Sequence, residues 1–216
     1  MPATPLNPQS TRAAPIAQAI NLSHAWDGHA LFDRLNLSVA PGVTLIHGDE
    51  QTGKTTLLRI LSGDLAPSEG RVVVNGVASD EQPERFAEQV FRTHPVDPTL
   101  DQTSPNDWFD ALAARYSAFD RQRLTELVID FDLESHVAKP FYMLSTGSRR
   151  KVSLSAAFAS GAPLILIDQP FAALDAPSIR LLREQFQRLA DQTQRACVIA
   201  DYEAPPDIAL AGALAL

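Results

Sequence analysis

The rhythm of apolar residues changes several times along this chain, and each rhythm predicts a different element. Ile16–Leu22 reads as a strand, and Leu31–Val39 alternates apolar and polar positions as a half-exposed strand does. Trp26-Asp27-Gly28 reads as the turn between them, and Pro41-Gly42 breaks the second before a new run begins. Val43–Ile46, Leu164–Ile167 and Ala196–Ala200 are short continuous apolar runs, as in strands covered on both faces. Helical spacing separates them at Thr55–Leu61, Ser148–Ala159 and Ala176–Asp191. Ser68-Glu69-Gly70 and Asn75-Gly76 read as turns on either side of a strand at Arg71–Val74. The pattern predicts an α/β fold with a mostly parallel sheet covered by helices, preceded by an antiparallel β portion.

From about Pro83 to Pro140 the β-branched runs thin out and helical patterns dominate, at Asp107–Ser117 and at Asp120–Asp130 with Leu124, Leu127 and Val128 on one face. This stretch, about 83–140, reads as an inserted α-helical subdomain whose entry is a loop marked by Pro95, Pro98 and Pro105. Residues 1–15, with prolines at 2, 5, 8 and 15, read as a disordered tail, which leaves 16–216 as one domain. No internal repeat is visible.

Composition narrows the function. The 216 residues are 45% hydrophobic and 20% charged, ordinary for a protein with a sizeable core. With 26 acidic against 18 basic residues the formal charge is −8, which argues against a surface built for nucleic acid or an anionic membrane. The single cysteine, Cys197, permits no internal disulfide and fits a reducing compartment. The apolar Ile208–Leu216 is far too short to span a bilayer, no signal peptide is visible, and a soluble, cytoplasmic protein is expected.

Chemistry concentrates at His47–Thr56, which fits G-x-x-x-x-G-K-[ST] with Gly48, Gly53, Lys54 and Thr55 in the required places. A strand leads in and a helix begins at the lysine, so the N–H groups of Asp49, Glu50, Gln51, Thr52 and Gly53 are expected to turn toward a phosphate. Lys54 can bridge the outer phosphates, Thr55 can ligate Mg²⁺, and Thr56 completes the turn. Asp168 ends an apolar strand, where such sheets bind nucleotides, and can hold the same ion. In Leu144–Lys151, Ser145 and Thr146 are good helix caps and Gly147 admits close approach of a ligand, although these residues alone favour a plain capped helix. The basic run Arg149–Lys151 reads as a solvated face.

Gly48–Thr55, Leu144–Ser148, Leu164–Asp168 and Ala173-Leu174-Asp175, in that order and spacing, resemble an ATP-binding cassette (ABC) ATPase over roughly residues 16–204. LSTGS at 144–148 is similar to the family's LSGGQ signature. Trp26 falls where the family stacks an aromatic ring on adenine, and a core tryptophan is the alternative. His94 falls where the family has a residue sensing Mg²⁺ and the membrane partner. The resemblance implies ATP and Mg²⁺ as ligands and a head-to-tail pair, with a second copy or a homologous cassette. ATP on Gly48–Thr56 of one subunit would meet Ser145–Gly147 of the other. It also implies a transmembrane permease docked near His94–Tyr116, where Trp108, Phe109 and Tyr116 line a groove or belong to the core. The location it implies is peripheral, on the inner face of the cell membrane. Short length and a compact insert resemble the small haem-exporter ATPases of cytochrome c maturation or a minimal efflux cassette.

The chain departs from the family at its chemistry. Gln169 stands where the family has the glutamate that polarises the attacking water, and losing a general base typically costs roughly 10²–10⁴ in rate. Tyr202 stands at the switch histidine, and Gln51 where a glycine is usual. Asp49 and Glu50 put two carboxylates beside a triphosphate, which is unhelpful unless both face solvent. One engineered exchange would explain Gln169 but neither Gln51 nor Tyr202, which favours natural attenuation. The leading expectation is the ATP-binding subunit of a transporter with slow hydrolysis. The alternatives are a regulatory or assembly subunit that binds ATP and hardly hydrolyses it, and a soluble non-transport ABC ATPase.

Overall fold

The continuous apolar runs form one sheet. In a computed structural model, which describes residues 14–26, 29–94 and 97–216, β3 (Gly42–His47), β6 (Val90–Arg92), β7 (Leu164–Asp168), β8 (Ala196–Asp201) and β9 (Leu210–Ala215) pair in parallel in the order β6-β7-β8-β3-β9. Both faces are buried. Along β7, Ile165 and Ile167 enter one core while Leu164 and Leu166 enter the other, the period-two consequence of a pleated strand.

Helices α5 (Thr146–Ala159) and α6 (Ala176–Ala190) supply Val152, Leu154, Ala156, Leu182 and Phe186 to the first core. Helix α1 (Lys54–Leu61) supplies Leu57, Leu58, Ile60 and Leu61 to the second, each worth roughly 1.5–3 kcal/mol of apolar burial. A four-stranded antiparallel sheet closes that side. It consists of β1 (Ala17–Trp26), β2 (His29–Val39), β4 (Glu69–Val74) and β5 (Val77–Ala78) in the order β2-β1-β4-β5.

Two expectations change, and one strand was not foreseen. Glu69 and Gly70 belong to strand β4 rather than a turn, because β1 carries an irregularity between Ile20 and Ser23 that presses its backbone on Gly70. A Cβ there would lie 2.3 Å from the Asn21 carbonyl oxygen, so only glycine lets the strands close. The stretch after Pro83 opens with α2 (Pro83–Gln89) and then β6, an edge strand of the parallel sheet, so not all of 83–140 is helical. A three-residue strand is too short to show a period. The C-terminal run forms β9 beside β3, although Leu-Ala-Gly-Ala-Leu-Ala contains no β-branched residue.

Helices α3 (Pro105–Arg115) and α4 (Arg121–Asp130) start at Ser104 and Asp120, whose side chains accept from the N–H groups of Asp107 and Arg123 at 3.2 and 2.8 Å. Phe109 and Tyr116 are core residues, and Tyr116 donates its hydroxyl proton to the Val90 carbonyl at 2.8 Å. Trp108 is half-buried, edge-on to Phe91 and Phe141. Among the described residues no helix is long and apolar enough to cross a membrane. The tail through residue 13, the Asp27-Gly28 part of the expected turn and Pro95 lie outside the described residues.

Candidate functional site

Adjacent strands β7, β8 and β3 all end at the same edge of the sheet, and each delivers chemistry there. Asp168 ends β7 and Gln169 follows it, Tyr202 follows β8, and the glycine-rich loop follows β3. These ends border a cleft of about 750 Å³ lined by Trp26, Glu50, Gln51, Gly53, Lys54, Thr55 and Thr56 together with Asp168, Gln169 and Tyr202. His29, Leu31 and Arg59 complete the lining.

Helix α1 packs over β8 and β7, which carries Thr55 to the far strand. Its hydroxyl donates to Asp168 Oδ2 at 2.6 Å across 113 positions of sequence. Two hard oxygens at that spacing fit Mg²⁺, which takes few protein ligands and completes its shell with phosphate and water. Among the described residues no cluster of three or more His, Cys, Asp or Glu competes for it.

Lys54 is only 8% exposed, and its Nζ donates to the Gly48 and Asp49 carbonyls at 2.7 and 2.5 Å. It also lies 4.9 Å above the centre of the Tyr202 ring. No side chain caps the N-terminus of α1, so its free N–H groups face the cleft region as an anion site. Thr52 Oγ1 closes the loop on the Asp49 carbonyl at 3.1 Å. Gln51 sits at φ 63°, a left-handed conformation that explains why glycine suits that position.

Asp49 and Glu50 are exposed, but Glu50 is not free: Tyr202 donates its hydroxyl proton to Glu50 Oε1 at 3.2 Å. Gln169 Nε2 donates to the Tyr202 oxygen at 3.5 Å. The hydrogen bond and the charge of Glu50 both push the Tyr202 phenol above its usual range. Trp26 is 63% exposed and lines the cleft, so it is not a core tryptophan.

Ser145, Thr146 and Gly147 are not among the cleft-lining residues. Ser145 caps α5 by accepting from the Ser148 N–H at 3.1 Å, and exposed Thr146 and half-buried Gly147 begin its first turn. His94 is also outside the cleft. Its Nε2 faces Asp64 Oδ2 at 3.6 Å in a smaller pocket between β6 and α3.

The family model for ABC transporters matches residues 32–172. The chain belongs to this family. It is 30% identical over 172 residues to the cytochrome c biogenesis ATP-binding export protein CcmA of Pseudomonas fluorescens, covering 79% of this chain and 82% of that one. The same-named protein of Pseudomonas savastanoi pv. phaseolicola is 32% identical over 171 residues, with 79% and 80% covered. Among solved structures, an ATP-binding subunit of an ABC transporter superposes with a TM-score of 0.79 at 21% identity, over 87% of this chain and 79% of that one. A putative ABC transporter ATP-binding protein from Pyrococcus furiosus gives 0.73 at 21%, over 93% and 96%. These structures support the shared fold.

The cassette also contains contacts that sequence reasoning missed. The basic run at 149–151 is not a solvated face. Arg149 pairs with Asp101 at 3.0 Å, Lys151 with Asp175 at 2.7 Å, and Arg150 donates to the main-chain carbonyls of Asp168 and Gln169. Only the juxtaposition of α5 and β7 exposes that role. The Tyr202–Glu50 contact joins residues 152 apart and has no local signal.

Proposed function

We propose that this ABC-family ATP-binding subunit holds ATP·Mg²⁺ in the cleft between the glycine-rich loop and Asp168. Lys54 and the α1 N-terminus would bind the outer phosphates, and Thr55 with Asp168 would hold the ion. Trp26 would lie against the base. Magnesium supplies charge neutralisation and orients the phosphates. The observation that carries this reading is the 2.6 Å contact of Thr55 with Asp168 beside buried Lys54 in one cleft.

Ser145–Gly147 lies outside that cleft, with Ser145 and Thr146 exposed and Gly147 half-buried, so the turn is available to a second copy, or a homologous cassette, arranged head to tail. The ligand then provides the charge at the centre of the interface and biases a two-state assembly. A membrane permease on another chain would receive the stroke near His94–Tyr116, with the cassette peripheral on the cytoplasmic face. Domain limits follow the same reading, with residues 16–216 as one cassette and the helical insert between β6 and α5. Similarity to export proteins of cytochrome c biogenesis supports an export role of that kind. A second reading, an ATP-binding regulatory or assembly subunit with little hydrolysis, is supported by Gln169 in place of a carboxylate.

Light scattering of the purified chain tests the primary reading. With ATP and Mg²⁺ the mass should double, and Lys54→Ala should abolish the change. A chain that neither binds ATP at millimolar concentration nor changes mass would overturn it.

A further inference from the structure

The cleft retains a carboxylate that the loss at position 169 leaves with a function. Of the described residues lining it, only Glu50 and Asp168 are carboxylates. Asp168 is engaged by Thr55, and its place on the metal side removes it from proton transfer. Glu50 lies on the other side of Tyr202, in a directed chain: the Gln169 amide donates to the Tyr202 oxygen, and the Tyr202 hydroxyl donates to Glu50 Oε1. The Tyr202 hydroxyl points at the carboxylate and fixes its place, and the Gln169 amide holds the Tyr202 oxygen. Lys54 Nζ, over the Tyr202 ring, brings the phosphate-binding cation to the same end of the cleft. His29, the other candidate base, pairs across the strands with Trp26, the ring read as stacking on the base.

We infer that Glu50 is the proton acceptor for ATP hydrolysis in this cassette, positioned by Tyr202, and that Gln169 is retained to hold Tyr202. The inference rests on reading the cleft as an ATP site. As the water oxygen bonds to the γ-phosphorus, its proton passes to a Glu50 oxygen. The bond from the γ-phosphorus to the β,γ-bridging oxygen breaks, its electron pair leaves with ADP, and protonated Glu50 then releases the proton to solvent.

Four full-length chains decide it: the unmodified protein, Glu50→Gln, Gln169→Glu and the double variant. Each is assayed for phosphate release and, separately, for equilibrium binding of radiolabelled ATP. Glu50→Gln should lower phosphate release by at least about 10²-fold with ATP affinity retained. In the Gln169→Glu background the same exchange should cost less than about threefold, because the new glutamate accepts the proton. Unchanged or faster release by Glu50→Gln, equal losses in both backgrounds, or an unmodified chain that binds ATP without turnover would each overturn the inference and leave the ATP-site reading standing. Failure of all four chains to bind ATP would overturn both.

Discussion

Arg150 donates through Nη1 to the main-chain carbonyl oxygen of Gln169 at 2.6 Å, and to that of Asp168 at 3.1 Å. The helix that begins at the exposed Ser145 turn is thereby tied to the strand end that carries the metal-side carboxylate. Gln169 itself sits at φ 46°, so the contact holds a turn that its own side chain does not favour. The cost of burying the guanidinium is incompletely compensated, since Arg150 Nε has no hydrogen-bond partner among the described residues.

Arg150→Ala should therefore destabilise the fold by about 1.5–3 kcal/mol, the range for hydrogen bonds to a charged group. The loss is read as a lower urea midpoint at unchanged slope. A variant indistinguishable from the parent would mean that solvent replaces the guanidinium at both carbonyls.

Restoring a carboxylate after Asp168 separates the transporter ATPase from the regulatory subunit. Gln169→Glu keeps the size of the side chain and adds a proton acceptor beside the metal-side residue, so steady-state phosphate release should rise by roughly 10²-fold. ATP affinity should stay within about threefold, because the loop contacts of Lys54 and Thr55 are untouched. No acceleration, together with no loss of phosphate release in Glu50→Gln, would favour a subunit that binds nucleotide as a regulator.

The sheet and the loop were legible because their signals are local: an apolar run, a glycine, a lysine and a threonine within a few residues. Val43–Ile46 and Leu164–Ile167 are strands of that sheet, and the helix starts at Lys54 as the motif predicts. β5, β6 and β9 were not legible. Two of them are too short to show a period, and Leu210–Ala215 has strand geometry because β3 offers it an open edge. At the site, Glu50, Gln51 and Gly53–Thr56 of the motif line the cleft while Gly48, Asp49 and Thr52 do not, whereas Arg150 and the Glu50–Tyr202 pair depend on which strand ends are neighbours. His94, expected at the position that senses Mg²⁺ and the membrane partner, lies outside the cleft with its imidazole facing Asp64.

Gly147 should resist substitution for a reason separate from nucleotide. A Cβ there would lie 2.8 Å from the Ala173 carbonyl oxygen, a backbone atom in a loop where Ala173 itself holds φ 58°. Gly147→Ala must push the first turn of α5 off that loop, at roughly 1–3 kcal/mol. Thr146→Ala, at an exposed neighbouring position, should cost under about 0.5 kcal/mol. Urea denaturation of both variants without ATP checks the contrast, and equal stabilities would refute the close contact.

Asp64 gives the cassette an acid-sensitive contact. Burial works to raise its carboxyl, but the His94 imidazole, the Ser62 hydroxyl and Arg92 at 2.7 Å outweigh it and hold the group well below the usual carboxylate range. A depressed folded-state pKa means that the unfolded chain binds the proton first. The stabilisation is therefore complete above the unfolded value of about 3.9 and fades as pH falls through the folded one. Partial exposure of the carboxylate screens it, so the effect is modest. Urea midpoints of the parent and Asp64→Asn should differ at pH 7, with the parent higher, and converge as the pH is lowered below 4. A gap that stays constant down to the acid limit would show that Asp64 contributes through shape and hydrogen bonding alone, without its charge.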